Sequence, residues 1–148
     1  MMLSLHDSEY CASARTRAEK LRSDSQRLWG KMSVDQMVWH VNSALCLALG
    51  KLAAAPDKAP LPPFLLRPIV LYAPWPKAKA PALRELVAKG AYDLEAERQR
   101  FHVLIEEFSA KPLEGGWITH PVLGRLTGEQ WSRLQAKHVD HHFRQFGV

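Results

Sequence analysis

Eight of the chain's ten prolines crowd into residues 56–81: Pro56, Pro60, Pro62, Pro63, Pro68, Pro74, Pro76 and Pro81. An interior proline removes a backbone donor and its ring clashes with the preceding turn, so no single regular helix can run through this stretch. The same stretch carries Phe64, Leu65, Leu66, Ile69, Val70, Leu71, Tyr72 and Trp75, too much apolar surface for a solvated linker. It is expected as a crossover laid against a core, with a short helical turn near residues 65–72.

On either side the chain reads as helix. Residues 7–22 can start on Asp7 or Ser8 and repeat Tyr10, Ala14, Ala18 and Leu21 at helical spacing. After a break at Trp29-Gly30, Ser33-Val34-Asp35-Gln36 has the form of a capping box and opens a helix that Gly50 can end. A third segment, about 93–109, turns Leu94, Phe101, Leu104, Ile105 and Phe108 inward, and Pro112 with Gly115-Gly116 stops it. Thr127-Gly128-Glu129-Gln130 is a second capping box, opening a helix to about residue 146. The expectation is a single all-α domain over residues 1–148: a four-helix bundle with a packed proline-rich crossover between helices 2 and 3. Such bundles house metal sites between facing helices.

The net charge of +5 raises the question of nucleic acid. Its distribution answers against it. The excess lies in residues 33–91, where Lys51, Lys58, Arg67, Lys77, Lys79, Arg84 and Lys89 face Asp35, Asp57 and Glu85. Those cations punctuate the crossover instead of lining one helix face, which fits a solvated loop or a basic mouth for an anionic small molecule. No apolar run approaches the roughly 20 residues of a membrane helix, and residues 1–15 lack a signal-peptide pattern. Cys11 and Cys46 fall in no metal-ligand spacing and read as two reduced thiols in a cytoplasmic protein.

Three of the seven histidines fall in Lys137-His138-Val139-Asp140-His141-His142. Residues four apart on a helix differ by only about 40° in direction and stand about 6 Å apart along the axis, so two imidazoles there can converge on one ion. On the wheel of the last helix, Trp131, Phe146, Val139 and Phe143 centre an apolar arc that contains His142, whereas His141 sits at its edge. His138 and His142 are therefore the chelating pair. A third donor is needed for a stable site. His40, between Met37, Val41 and Ala44 on the apolar face of the second helix, is the candidate. A lone core histidine is more often just a satisfied one; it is the pair on the last helix that makes His40 a ligand candidate.

The segment Trp29-Gly30-Lys31-Met32-Ser33-Val34-Asp35-Gln36-Met37-Val38-Trp39-His40 resembles the second-helix motif of the DinB-like superfamily. The tail, His120-Pro121-Val122-Leu123-Gly124-Arg125-Leu126-Thr127 with Trp131 and the run from His138 to Gly147, resembles a branch of that superfamily of unknown function. The resemblance implies a four-helix bundle, often a homodimer, with a histidine from the second helix and a His-x-x-x-His pair from the last. Those roles map onto His40, His138 and His142. It further implies a divalent metal ion (zinc, nickel or iron) and, from characterised relatives, a metal-dependent transferase acting with an external low-molecular-weight thiol such as bacillithiol, mycothiol or glutathione.

On this reading the ion acidifies a thiol or a water near neutral pH. A thiol-dependent S-transferase on a small-molecule substrate leads, with a metal-dependent hydrolase and a non-catalytic ligand-binding or sensing module as alternatives. Weaker candidates for catalytic roles are His141 and, with Asp140, proton transfer at the mouth; Gln145, three residues past His142, as an orienting group; and His120, as an outer partner or a loop hydrogen bond. Trp39, Tyr72 and Trp75 are candidates to line a pocket. No nucleophile–His–acid pattern and no glycine-rich phosphate loop is present, and no partner nucleic acid or membrane is expected.

Overall fold

A computed structural model describes residues 3–77 and 82–148; Lys79 and Pro81 of the basic, proline-rich stretch lie outside the described residues. The chain is mostly helical, with five α-helices and one two-stranded hairpin among the described residues. Helix α1, Ser8–Glu19, starts where the Asp7 carboxylate accepts from the Glu9 and Tyr10 amides. It stops earlier than the spacing suggests, but the following turn (Leu21 N to Ala18 O, 3.2 Å) still carries Leu21 into the core.

Helix α2, Val34–Ala48, begins on Ser33, whose amide donates to the Gln36 side chain at 3.1 Å. Twelve of its 15 residues are buried, as expected of a helix apolar on nearly all sides. Helix α4, Leu94–Ala110, is capped by Asp93, and helix α5, Gly128–Gln145, by the reciprocal Thr127–Gln130 box at 3.0 and 3.1 Å. α2 lies against both α4 and α5, and α1 closes on the same two helices. Phe101 of α4 meets Phe143 of α5 at 5.2 Å between ring centroids, with Trp131, Phe108, Met37 and Leu45 buried around them.

The crossover holds more helix than its prolines suggest. Helix α3 spans Pro63–Tyr72, and Pro68 lies inside it. Pro63 occupies the first turn, where its missing amide would have had no partner. Pro68 is on the exposed side, where the carbonyl it leaves unpaired can turn to water. Basic residues of α5 then staple the C-terminal end of α3, the negative end of its dipole: Lys137 Nζ donates to the Val70 and Ala73 carbonyls at 2.9 and 2.7 Å, and Arg133 Nε to Leu71 at 2.8 Å. A 3₁₀ turn, Arg84–Leu86, packs on α2.

Two short antiparallel strands, β1 Thr119–His120 and β2 Gly124–Arg125, precede α5. Their signal is invisible to periodicity because a side chain closes the turn: His120 Nδ1 accepts from the Val122 and Leu123 amides, both at 3.0 Å. No helix among the described residues is long and apolar enough to cross a membrane.

The entry to α5 leaves no room for a side chain at residue 128. A Cβ at Gly128 would overlap the Leu113 carbonyl and lie 2.7 Å from both Leu113 Cα and Trp117 Nε1. Backbone cannot yield as a flexible side chain can. Gly128→Ala should therefore destabilise by about 1–3 kcal/mol, the usual cost of overpacking, even though alanine is the better helix former. Urea unfolding of the variant measures it; an unchanged or raised midpoint contradicts this account.

Candidate metal centre

α2 presents His40 and α5 presents His138 and His142 to one point between them. Ring centroids stand 4.8 Å (His40–His138), 4.7 Å (His40–His142) and 4.6 Å (His138–His142) apart, a nearly regular triangle. Each residue offers one nitrogen within 4.8 Å of the other two. His40 is only 5% exposed, whereas His138 and His142 are half-buried and leave the cluster an edge toward solvent.

The outer nitrogens settle the tautomers of two rings. His40 Nδ1 lies 2.6 Å from the Leu86 carbonyl, which can only accept, so this nitrogen carries the proton and Nε2 is a bare lone pair. Gln145 Nε2 donates to the Trp29 carbonyl at 2.8 Å, which fixes the amide and leaves Oε1 facing His142 Nδ1 at 2.9 Å. His142 Nδ1 is therefore the donor and its Nε2 is also bare. The Gln145 amide fits because residue 30 is glycine: φ is +85°, and a Cβ there would overlap Gln145 Nε2. Outer partners of this kind are what orient histidine ligands.

His138 Nε2 sits 2.9 Å from the His40 Nε2 lone pair, and His138 Nδ1 is buried with no partner. Two bare imidazole nitrogens repel at that distance unless a proton or a cation lies between them. A proton on His138 Nε2 bonds only the His40 lone pair, and His138 Nδ1 lacks a partner whether or not it carries the proton. A cation satisfies all three inner nitrogens at once. Zinc holds nitrogen ligands at about 2.0–2.1 Å, which sets them roughly 3.3 Å apart; the His40–His138 pair, at 2.9 Å, needs only slight opening. The residues present fit a divalent ion.

Burial is the first cause that lowers the basicity of all three rings: His138 well below the usual histidine range, His142 to about 3, and His40 downward against the rise from its Leu86 hydrogen bond. Mutual repulsion adds to it, from His142 and then His40 at His138, and from His40 at His142. All three are neutral at pH 7, the state that binds metal.

The other sequence candidates separate clearly. Gln145 reaches the cluster, through His142. His141 stands at the rim, half-buried, with its ring centroid 5.1 Å from that of His142. Asp140 is held by Arg17 at 2.9 Å. His120 is spent on its hairpin turn against Trp131, with burial lowering it to about 4. Trp75 flanks His138, but Trp39 stacks on Tyr92 at 4.9 Å and Tyr72 lies under Arg133. The Leu86 and Trp29 carbonyls escaped sequence reading because backbone acceptors leave no residue-type signal. Only the Trp29-Gly30 break marked one of them.

Two outcomes follow from this geometry. Gln145→Ala should weaken zinc affinity by about 10–100-fold, the usual cost of losing an outer partner, measured by competition with a chelating dye; unchanged affinity removes Gln145 from the site. Unfolded imidazoles titrate near 6.5 and the folded ones lower, so protons bind the unfolded chain first as pH falls. Stability of the metal-free protein should be intact above about pH 6.5 and be lost progressively toward the folded value, about 3 for His142. Urea midpoints from pH 7.5 to 4 test this, and His142→Phe should flatten the slope.

No curated protein and no solved structure gives a significant match to the chain. A family model does, over residues 63–147, a span that runs from α3 through α5 and contains His138 and His142 but not His40. That span is more than half of the 148 residues, and the chain belongs to the family described as Protein of unknown function (DUF1569).

Proposed function

We propose that this chain is a divalent-metal-binding helical-bundle protein in which His40, His138 and His142 hold one zinc, nickel or iron ion, and that it works as a metal-dependent enzyme, a low-molecular-weight-thiol S-transferase. The observation that carries the metal reading is the committed outer nitrogens of His40 and His142, which leave their inner lone pairs converging beside His138. The mutual packing of α1, α2, α4 and α5 supports a four-helix bundle of the DinB-like kind. A core cluster that runs from Leu5 to Phe146 supports a single domain over the whole chain.

An ion with three neutral histidines keeps a position open for an external donor and supplies Lewis acidity that makes a thiol or water anionic near neutral pH. The chain's own thiols are engaged elsewhere. Cys11 donates to the Leu5 carbonyl at 3.1 Å and is raised by burial, and Cys46 accepts from Arg100 of α4 at 3.3 Å. The attacking thiol is therefore external, and the half-buried rim of His141, Trp29 and Trp75 limits water around the substrate. A cytoplasmic setting without nucleic acid or membrane partners goes with this reading. So does a homodimer, for which α3 offers an uncovered apolar face with Phe64 69% and Tyr72 60% exposed.

Metal analysis of purified protein should find about one ion per chain, and His40→Ala, His138→Ala and His142→Ala should each lose it while keeping helical circular dichroism. Unchanged metal content in all three rejects the site. Conjugation of bacillithiol, mycothiol or glutathione to 1-chloro-2,4-dinitrobenzene should then stop with chelator and resume with added zinc. A rate indifferent to chelator rejects the transferase, and metal binding without turnover of any electrophile would leave a binding module.

A further inference from the structure

The rim of the histidine cluster is built from rings that the cluster itself does not need. His141 lies between two indoles, 6.0 Å from Trp29 and 5.6 Å from Trp75, and Trp75 also stands 6.1 Å from His138. Trp29 comes from the loop before α2 and Trp75 from the segment after α3, so two remote parts of the chain form walls beside α5. All three side chains are half-buried and keep an edge to solvent. Two residues beyond Trp75, the Lys77 ammonium stands 5.5 Å from the Trp29 ring centroid. The chain thus passes from one wall to the other and brings a cation with it.

Lys77 differs from its neighbour Lys137. Lys137 also approaches an indole, 5.2 Å from Trp75, but its ammonium is used up by the Val70 and Ala73 carbonyls. Lys77 is exposed, and none of the ion pairs among the described residues uses it. The charge balance at the cluster points the same way. Three neutral imidazoles leave a divalent ion with its full charge. The carboxylate that lies between the two α5 ligands in sequence, Asp140, is taken by Arg17 at 2.9 Å and Arg144 at 3.7 Å. Positive charge without a resident anion, beside weakly polar walls where Coulomb terms are strong, favours an anionic guest. Flat indole faces favour a flat one.

We infer that Trp29, Trp75 and Lys77 form a binding site for a small planar organic anion, an aromatic or conjugated carboxylate, with its ring against the indoles and its charge between Lys77 and the histidine cluster. This rests on the metal reading above and names the substrate class of that same site. It gives roles to three side chains that metal binding alone leaves without one.

The test uses the full chain loaded with cobalt(II), whose visible bands report ligands entering the site, with benzoate, acetate and benzamide as probes. Benzoate should bind about tenfold or more tighter than acetate, which lacks the ring, and than benzamide, which lacks the charge. Lys77→Met, an exposed position, should leave cobalt loading unchanged and weaken benzoate about five- to tenfold while sparing benzamide. Trp75→Leu, which keeps apolar bulk, should bring benzoate toward acetate. Cobalt that loads normally with equal affinity for the three probes, or benzoate binding untouched in both variants, overturns the inference and leaves the metal site standing. Failure of cobalt to load at all overturns the metal reading and the inference with it.

Discussion

Three neutral imidazoles in a desolvated gap between α2 and α5 are the constraint from which most of the surrounding structure follows. A buried imidazole must be satisfied on both nitrogens or pay for the one that is not. Here His40 and His142 have each committed their proton to an acceptor outside the triangle, so His138, with one proton at Nε2, can satisfy His40 at 2.9 Å but not all three inner nitrogens. A cation at the centre would satisfy all three inner nitrogens together. Satisfaction of the outer side thus creates the demand on the inner side.

That outer side recruits parts of the chain far from either helix. His40 depends on a carbonyl of the 3₁₀ turn that ends the crossover, and His142 depends on Gln145, itself held by the loop before α2. Leu28 donates to the Gln145 carbonyl at 2.7 Å, a second fastening of the same loop. The prolines make sense in this light. A crossover with few accessible conformations delivers the Leu86 carbonyl and the Trp75 ring to fixed places at a lower entropic cost than a flexible linker would. The stapling of α3 by Lys137 and Arg133 begins that path on α5, from positions just before His138.

The helices and the meeting of His138 with His142 were legible because both are written in local spacing. Caps at Asp7, Ser33 and Thr127 mark helix starts, and the four-residue spacing of His138 and His142 brings their rings to one side of α5. His40 was legible as a polar residue on an apolar face, and through the resemblance of its segment to a second-helix motif. What stayed hidden depends on contacts between distant segments. Helix α3 is longer than its prolines suggest because Pro63 and Pro68 fall at a first turn and on an exposed side, and position on a helix is not a property of composition. The hairpin at 119–125 rests on one imidazole taking two amides. The rim rests on Trp29, 46 residues before Trp75, and no pattern in the sequence joins them.

His138 is the point at which stability and function pull apart. Its Nδ1 has no partner, whereas His40 and His142 both have one, and an uncompensated buried nitrogen is the sort of cost a fold selected for stability alone would remove. A leucine there would fill the same space between α2 and α5 and bury apolar area with no polar debt. The chain instead keeps three desolvated bases in contact, with His142 and His40 lowering His138 and His40 lowering His142. Such an arrangement costs folding energy when empty and returns it when a cation binds, because the cation interacts with the folded state and finds no preformed site in the unfolded one. The expense sits at the half-buried edge of the cluster, beside His141 and Trp75, where an incoming ligand would arrive.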